Sequence, residues 1–185
     1  MNRGASIILK IMAIPCVTVA ANGALAQQMH QTSFHTTAAN TKYTKQLVID
    51  VEDVPGHQIR LFEIRRTFPK DPPVINGVKL AETWTRGMSD FIDTTGPSTS
   101  YIVFVLENGD KFFVRASATS ESTVKPDGSS SYTVTLEGTM TGGTGTLAGI
   151  TGVVRTSNVF DPQTGFNEGH TKIEYSLDIG TNGKK

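Results

Sequence analysis

With 185 residues and a single cysteine, the chain is long enough for one domain and cannot build a disulfide framework. Lys plus Arg and Asp plus Glu each number 17, and the adjacent basic residues are the pairs Arg65-Arg66 and Lys184-Lys185. Such a balance lacks the basic excess or cluster expected of a protein that binds nucleic acid or an anionic membrane surface.

In chain order, Arg3 and Lys10 precede a mostly apolar run from Ile11 to Ala21, and Ala24-Leu25-Ala26 fits the small-x-small cleavage rule. Residues 1–26 are therefore expected to be a signal peptide, leaving 159 residues (185 less 26) in a secreted or periplasmic protein. Lys10 keeps the apolar run below the ~20 residues of a spanning helix, so no stable membrane insertion of the mature chain is expected. A lipoprotein needs small residues before Cys16, where Ile14 and Pro15 stand. Cys16 falls inside the signal, so cysteine nucleophiles, thiolate metal sites and disulfides are excluded from the mature chain. That chain would carry 15 basic residues (17 less Arg3 and Lys10) against 17 acidic, a net charge of −2.

Residues 27–45 are rich in Thr, Gln, Ala and Asn without either periodicity and read as a flexible leader. The domain is expected over residues 46–180, with 181–185 a tail. Within it, strand-like segments run from Gln46 to Asp53, His57 to Phe68, Lys79 to Asp93, Thr99 to Glu107, Lys111 to Thr123, Ser130 to Met140, Ile150 to Phe160 and Glu168 to Ile179. Turn chemistry separates them at Val54-Pro55-Gly56, Gly96-Pro97, Asn108-Gly109, Pro126-Asp127-Gly128 and Asp161 to Gly165. Asn108-Gly109 predicts a two-residue type I′ hairpin with positive φ at both positions. Sequential hairpins make an all-β antiparallel meander. Closing eight strands into a β-barrel removes exposed edges and leaves room inside for side chains or one small ligand.

The most specific stretch is Glu137 to Val154, with five glycines between Gly142 and Gly152. Gly143-Thr-Gly145-Thr-Leu-Ala-Gly149, with Glu168 about twenty residues on, has the outline of a dinucleotide loop. Its context is wrong, because Ile150-Thr-Gly-Val-Val154 is β-branched and glycine-broken where that loop opens a helix. No Gly-Lys-Ser/Thr completes a P-loop. The cluster reads as a crossover where two strands turn and pass closely.

Met140 to Arg155 resembles the Gly-Gly-Thr/Ser-Gly-x₆-Gly segment of plant allene oxide cyclases and dirigent proteins. Phe160-Asp-Pro-Gln-Thr-Gly165 and the Glu174-Tyr175 strand resemble the end of the dirigent domain. The likeness covers about the last 45 residues. It implies an eight-stranded antiparallel barrel with an apolar cavity at one mouth, commonly assembled as a homotrimer. The families' catalytic residues do not carry over, since only this C-terminal segment aligns.

Candidate site residues come from strand parity, one side of each barrel strand lining the lumen. Leu80, Glu82, Trp84, Arg86, Met88, Asp90 and Ile92 share one parity; Ala81, Thr83, Thr85, Gly87, Ser89 and Phe91 share the other. If the first set faces inward, Glu82, Arg86 and Asp90 are the catalytic candidates, partly buried charges that must be paired, and Trp84 and Met88 line the ligand. If it faces outward, the same residues form a solvated ladder interrupted by Trp84. Tyr101, which shares parity with Val103 and Val105, and Phe113 with Arg115 are further ligand-binding candidates, each also readable as a packing residue. Tyr175, alternating with Ile173 and Leu177, reads the same way.

His30, His35, His57 and His170 form no metal-ligand spacing, and no Gly-x-Ser-x-Gly elbow supports a hydrolase triad, so neither metal nor cofactor is expected. The many serines and threonines suit outward-facing strand positions. Three functions follow: a carrier holding a small hydrophobic molecule in the barrel mouth, a cyclase or dirigent-like enzyme guiding a reactive intermediate, or a structural trimer with a filled barrel.

Overall fold

The computed structural model describes residues 28–161 and 163–177. The expected signal peptide at 1–26 and the tail at 181–185 lie outside those residues. The strands are β1 (His30–Thr37), β2 (Thr41–Asp50), β3 (His57–Thr67), β4 (Val74–Ile75), β5 (Val78–Ile92), β6 (Gly96–Leu106), β7 (Lys111–Val124), β8 (Ser130–Gly143), β9 (Ile150–Asp161) and β10 (Phe166–Leu177). Two single-turn 3₁₀ segments, Ala38–Asn40 and Gly145–Leu147, are the only helical pieces among the described residues.

The fold is thus all-β and antiparallel. Its main sheet runs β1-β10-β9-β8-β7-β6-β5-β3-β2, with the short β4 paired to β5. The eight expected strands are all present, yet the sheet is not closed into a barrel by hydrogen bonds. Its end strands β1 and β2 are joined through Ala38–Asn40 and pair with β10 and β3, not with each other.

Of residues 27–45, expected to be a flexible leader, those from His30 onward instead supply β1 and the start of β2. Strand β1 pairs with β10 from His30↔Tyr175 to Thr37↔Glu168, satisfying backbone groups that would otherwise line an open edge. Phe34 anchors it, meeting Phe68 edge to face at 5.1 Å. One inward aromatic in a polar strand is a weak periodic signal, which is why composition suggested mobility.

The Asn108-Gly109 turn also departs from expectation. Gly109 alone has positive φ, at 87°, and its N–H bonds to the Leu106 carbonyl at 2.9 Å. Asn108 keeps an ordinary φ because its side chain is engaged: Oδ1 accepts from the Asp110 N–H and Nδ2 donates to the Asp110 carboxylate, each at 3.0 Å.

The glycine cluster, read from its flanks as a crossover, is a hairpin connection instead, since β8 and β9 on either side of it are hydrogen-bonded neighbours. Gly152 takes φ 151°, and a Cβ there would lie 2.1 Å from the Glu174 carbonyl oxygen, so β9 can approach β10 only without a side chain. Asp110 fastens the 3₁₀ turn to the β6–β7 turn by accepting from the Thr146 N–H at 2.9 Å and its hydroxyl at 2.6 Å. These bonds, the hydroxyl first, hold the Asp110 carboxyl below its ordinary pKa.

Leu147, thus positioned, is fully buried. With Ile75, Leu80, Leu106, Phe112 and Ile150 it fills one end of the sheet's inner face, where Phe104 and Phe112 stack at 4.2 Å. Tyr175 belongs to this plug as a structural residue, its hydroxyl accepting from the Asn76 N–H at 2.8 Å. At the other end lie the β2–β3, β5–β6, β7–β8 and β9–β10 turns, and there the interior is not filled.

Leu147→Ala should destabilise the protein by about 2–5 kcal/mol in urea denaturation, whereas Leu61→Ala on the exposed outer face should change stability by less than about 0.5 kcal/mol. Similar losses for the two would contradict the plug.

Candidate functional site

Inner-facing residues of every strand in the main sheet converge on one cavity of about 470 Å³. Its apolar wall includes Phe34, Phe62, Ile64, Phe91, Phe104 and Leu136. Asp161, Gly165, Phe166 and Asn167 of the β9–β10 turn line it too, which puts its mouth at the unplugged end. Tyr43 and Val48 of edge strand β2 face it while remaining 52% and 42% exposed, so it is also open beside the unpaired β2 edge.

Parity along β5 turns on one residue. The register with β6 shifts between Leu80 and Glu82, so Leu80 points into the plug and, beyond the bulge, Thr83, Thr85, Ser89 and Phe91 face the cavity. Glu82, Trp84, Arg86, Met88 and Asp90 consequently stand on the outer face. Among the two readings of that parity, the solvated ladder is the one observed. In β6, Ile102 and Phe104 face inward and Tyr101 outward; in β7, Phe112 and Val114 are buried while Phe113 and Arg115 lie on the opposite side. All eight candidate residues therefore lie outside the cavity, and none contributes to its wall.

They do form an ordered surface. Glu82 accepts from Arg65 Nε and from Trp84 Nε1, both at 2.7 Å. Burial raises the Glu82 pKa, but the Trp84 and Arg65 bonds outweigh it and leave the carboxyl below its ordinary value. The Arg65 and Arg86 guanidiniums stand 5.5 and 5.4 Å from the Trp84 ring. Arg86 Nε donates to Glu63 at 2.7 Å, and Thr44 donates to the same carboxylate at 2.8 Å. Tyr101 stacks on Phe113 at 6.2 Å. Asp90 accepts from His57 Nε2 at 2.7 Å while Asp53 meets His57 Nδ1 at 2.5 Å. Held between two carboxylates, the Asp90 bond foremost, His57 has a raised pKa and ties β3 to β5.

The polar groups facing the cavity were not the ones singled out from the sequence. Hydroxyls from Thr36, Thr83, Thr85, Ser89, Ser98 and Ser100 line it, although such residues were expected outside. Thr156 and Thr171 bond to each other at 2.9 Å across β9 and β10. Two arginines of β3 also face inward. Near the mouth, Arg60 donates through Nε and Nη2 to Gln58 Oε1 at 3.1 and 2.5 Å, and Gln58 in turn donates to Asp50 at 2.8 Å. Deeper in, Arg66 makes one long contact, from Nη1 to Thr85 Oγ1 at 3.4 Å. Burial pushes the Arg66 guanidinium down from its ordinary pKa, an effect that Tyr43 partly opposes. The alternation Arg60, Phe62, Ile64, Arg66, Phe68 was the signal: charged and aromatic groups share one parity of a single strand.

Asp161 closes the polar lining at the mouth. Its side chain, 5% exposed, accepts from Lys125 Nζ at 2.8 Å and from the Gln163 N–H at 2.9 Å, ties that bring its pKa to about 2. The pair holds the β7–β8 loop against the β9–β10 turn.

The two mouth clusters should respond oppositely to pH. Asp161 has a depressed pKa, so the stability it contributes is present above the ordinary carboxylate value of about 4 and is lost as pH falls towards 2. His57 has a raised pKa, so its contribution is full below about 6.5 and is lost as pH rises through the folded-state value. In chemical denaturation across pH, the deficit of Asp161→Asn relative to the native protein should shrink below pH ~4, and that of His57→Gln should shrink above pH ~6.5. The reverse trends would refute these roles. Comparison with protein-family models, curated proteins and solved structures finds no match to the chain.

Proposed function

We propose that the protein is a small-molecule carrier whose mostly apolar cavity holds a hydrophobic ligand. The observation that carries this reading is the cavity of about 470 Å³, within the range of roughly 300–1,000 Å³ typical of small-ligand sites, in a chain that packs the other end of the same interior solid. Apolar walls supply affinity by area, and the few inward polar groups orient the guest. On this reading the curled sheet serves as the eight-stranded barrel of the allene oxide cyclase and dirigent group, extended by β1. The protein acts outside the cytoplasm, after removal of residues 1–26.

The rival enzymatic reading rested on Glu82, Arg86 and Asp90. With these on the outer face, the remaining carboxylate in the cavity wall is Asp161, which is committed to Lys125. The carrier reading therefore has the better support. A homotrimer would use the outer face, where Leu47, Leu61 and Met88 stand in line across β2, β3 and β5 and are each 44–56% exposed.

Two measurements test this reading. The neutral fluorophore N-phenyl-1-naphthylamine should bind the native protein and Trp84→Phe alike, and should fail to bind a folded Ala118→Phe variant, whose ring would occupy the cavity. Equal binding by all three would place the probe elsewhere and sink the carrier reading. Light scattering should give three times the chain mass, and a monomer would remove the trimer.

A further inference from the structure

Resting on the carrier reading, we infer that the ligand is an amphiphile with a carboxylate head, bound tail outward with that head against Arg66 near the closed end of the cavity. Among the described residues, the ion pairs of the protein join Lys45 and Arg86 to Glu63, Arg65 to Glu82, Lys125 to Asp161, Arg155 to Glu137 and Glu174, and Lys172 to Glu174, with His57 between two aspartates. Arg66 has no acidic partner in this set, although its side chain lines the interior. A guanidinium half-withdrawn from bulk water without a counter-ion carries part of the cost of burying a charge, and it cannot escape by losing its proton. An incoming anion offsets that cost.

A second observation at the same place points the same way. Thr41 is the register partner of Arg66 on β2, and its hydroxyl oxygen is buried with no hydrogen-bond partner. Thr83, partner of Arg66 on β5, and Thr85, at the end of its one long bond, add buried hydroxyls facing the cavity. Together they form a donor-rich pocket, a forked cation ringed by hydroxyls, which suits a planar two-oxygen acceptor. Arg60 differs, because its Nε and Nη2 already donate to Gln58.

The dimensions set the rest of the ligand. Arg66 and Arg60 are six residues apart on β3, roughly 20 Å at strand rise, with Ile64 and Phe62 between them on the same face. A chain of about a dozen carbons fits between the deep cation and the mouth. At Arg66 a head group meets one guanidinium, Arg60 standing roughly 20 Å away at the mouth, so a carboxylate is favoured over a phosphate dianion, whose second charge would have no cation beside it.

Calorimetric titration of the full chain with dodecanoate, dodecanol, dodecyl phosphate and dodecyltrimethylammonium, each below its micellar concentration, tests this. Dodecanoate should bind about tenfold or more tighter than dodecanol, the scale of a charge-assisted bond. The phosphate should be weaker than the carboxylate and the ammonium weakest. Arg66→Met should erase the preference for dodecanoate over dodecanol while leaving dodecanol affinity unchanged, and Arg60→Met should retain it. Should Arg66→Met not fold, [1-¹³C]dodecanoate bound to the native protein decides, since its carboxyl must titrate below the free acid. Equal affinity for dodecanoate and dodecanol overturns the Arg66 assignment but spares the carrier reading, and tighter phosphate binding overturns the carboxylate. A carboxyl that titrates at or above its free value in the complex overturns the contact, and failure of every dodecyl compound to bind overturns both readings.

Discussion

Everything in this molecule depends on one long antiparallel sheet enclosing its own inner face. Such a sheet must decide residue by residue what stands inside, and here it decides differently at its two ends. At one end large side chains meet and exclude water, with Leu147, Leu80 and Phe112 fully buried. At the other, threonines, serines and an alanine stand among the aromatic and aliphatic side chains of the wall, and the interior is left unfilled. A close-packed plug and a cavity thus arise from the same strands.

The two ends are coupled through turns. The plug needs the 3₁₀ segment Gly145–Leu147 to fold back over the interior, which Gly143 and Gly152 permit by close backbone approach and Asp110 secures by two hydrogen bonds. The mouth is held by ion pairs in place of apolar contacts. Lys125 and Asp161 join two turns, and Asp53, His57 and Asp90 join two strands. Polar fastening suits a rim that must stay wet, while apolar fastening suits an end that must stay dry. The outer ladder of Glu63, Arg86, Trp84, Arg65 and Glu82 adds cross-strand pairs over β3 and β5. It thereby accounts structurally for the residues whose chemistry first drew attention.

Arg66 stands apart from this economy of pairing. Arg65 and Arg86 pair with Glu82 and Glu63 on the outer face, whereas Arg60, bonded to Gln58, and Arg66 face in. Among the described residues, the carboxylates that pair with arginines of these strands thus stand outside, and the two inward guanidiniums have none. In the proposed carrier reading, the apolar wall together with Arg66 and its hydroxyl fringe would discriminate among guests by head-group charge as well as by length.

The sequence by itself determined the all-β class, the positions of eight strands and the turn in the glycine cluster, because strand alternation and turn chemistry are local properties. It did not show β1, whose pairing with β10 is a contact between distant segments and whose composition is polar. Nor could it decide parity. A single extra residue at Ala81, seen as the register shift between Leu80 and Glu82, sends Trp84 and its charged neighbours outward and brings Thr83, Thr85 and Ser89 in. Bulges leave no mark in the periodicity of one strand, since they exist only relative to a partner. Whether a charged side chain on such a strand meets solvent, a partner or an empty interior was therefore decided by the tertiary structure, and Arg66 gains its meaning there.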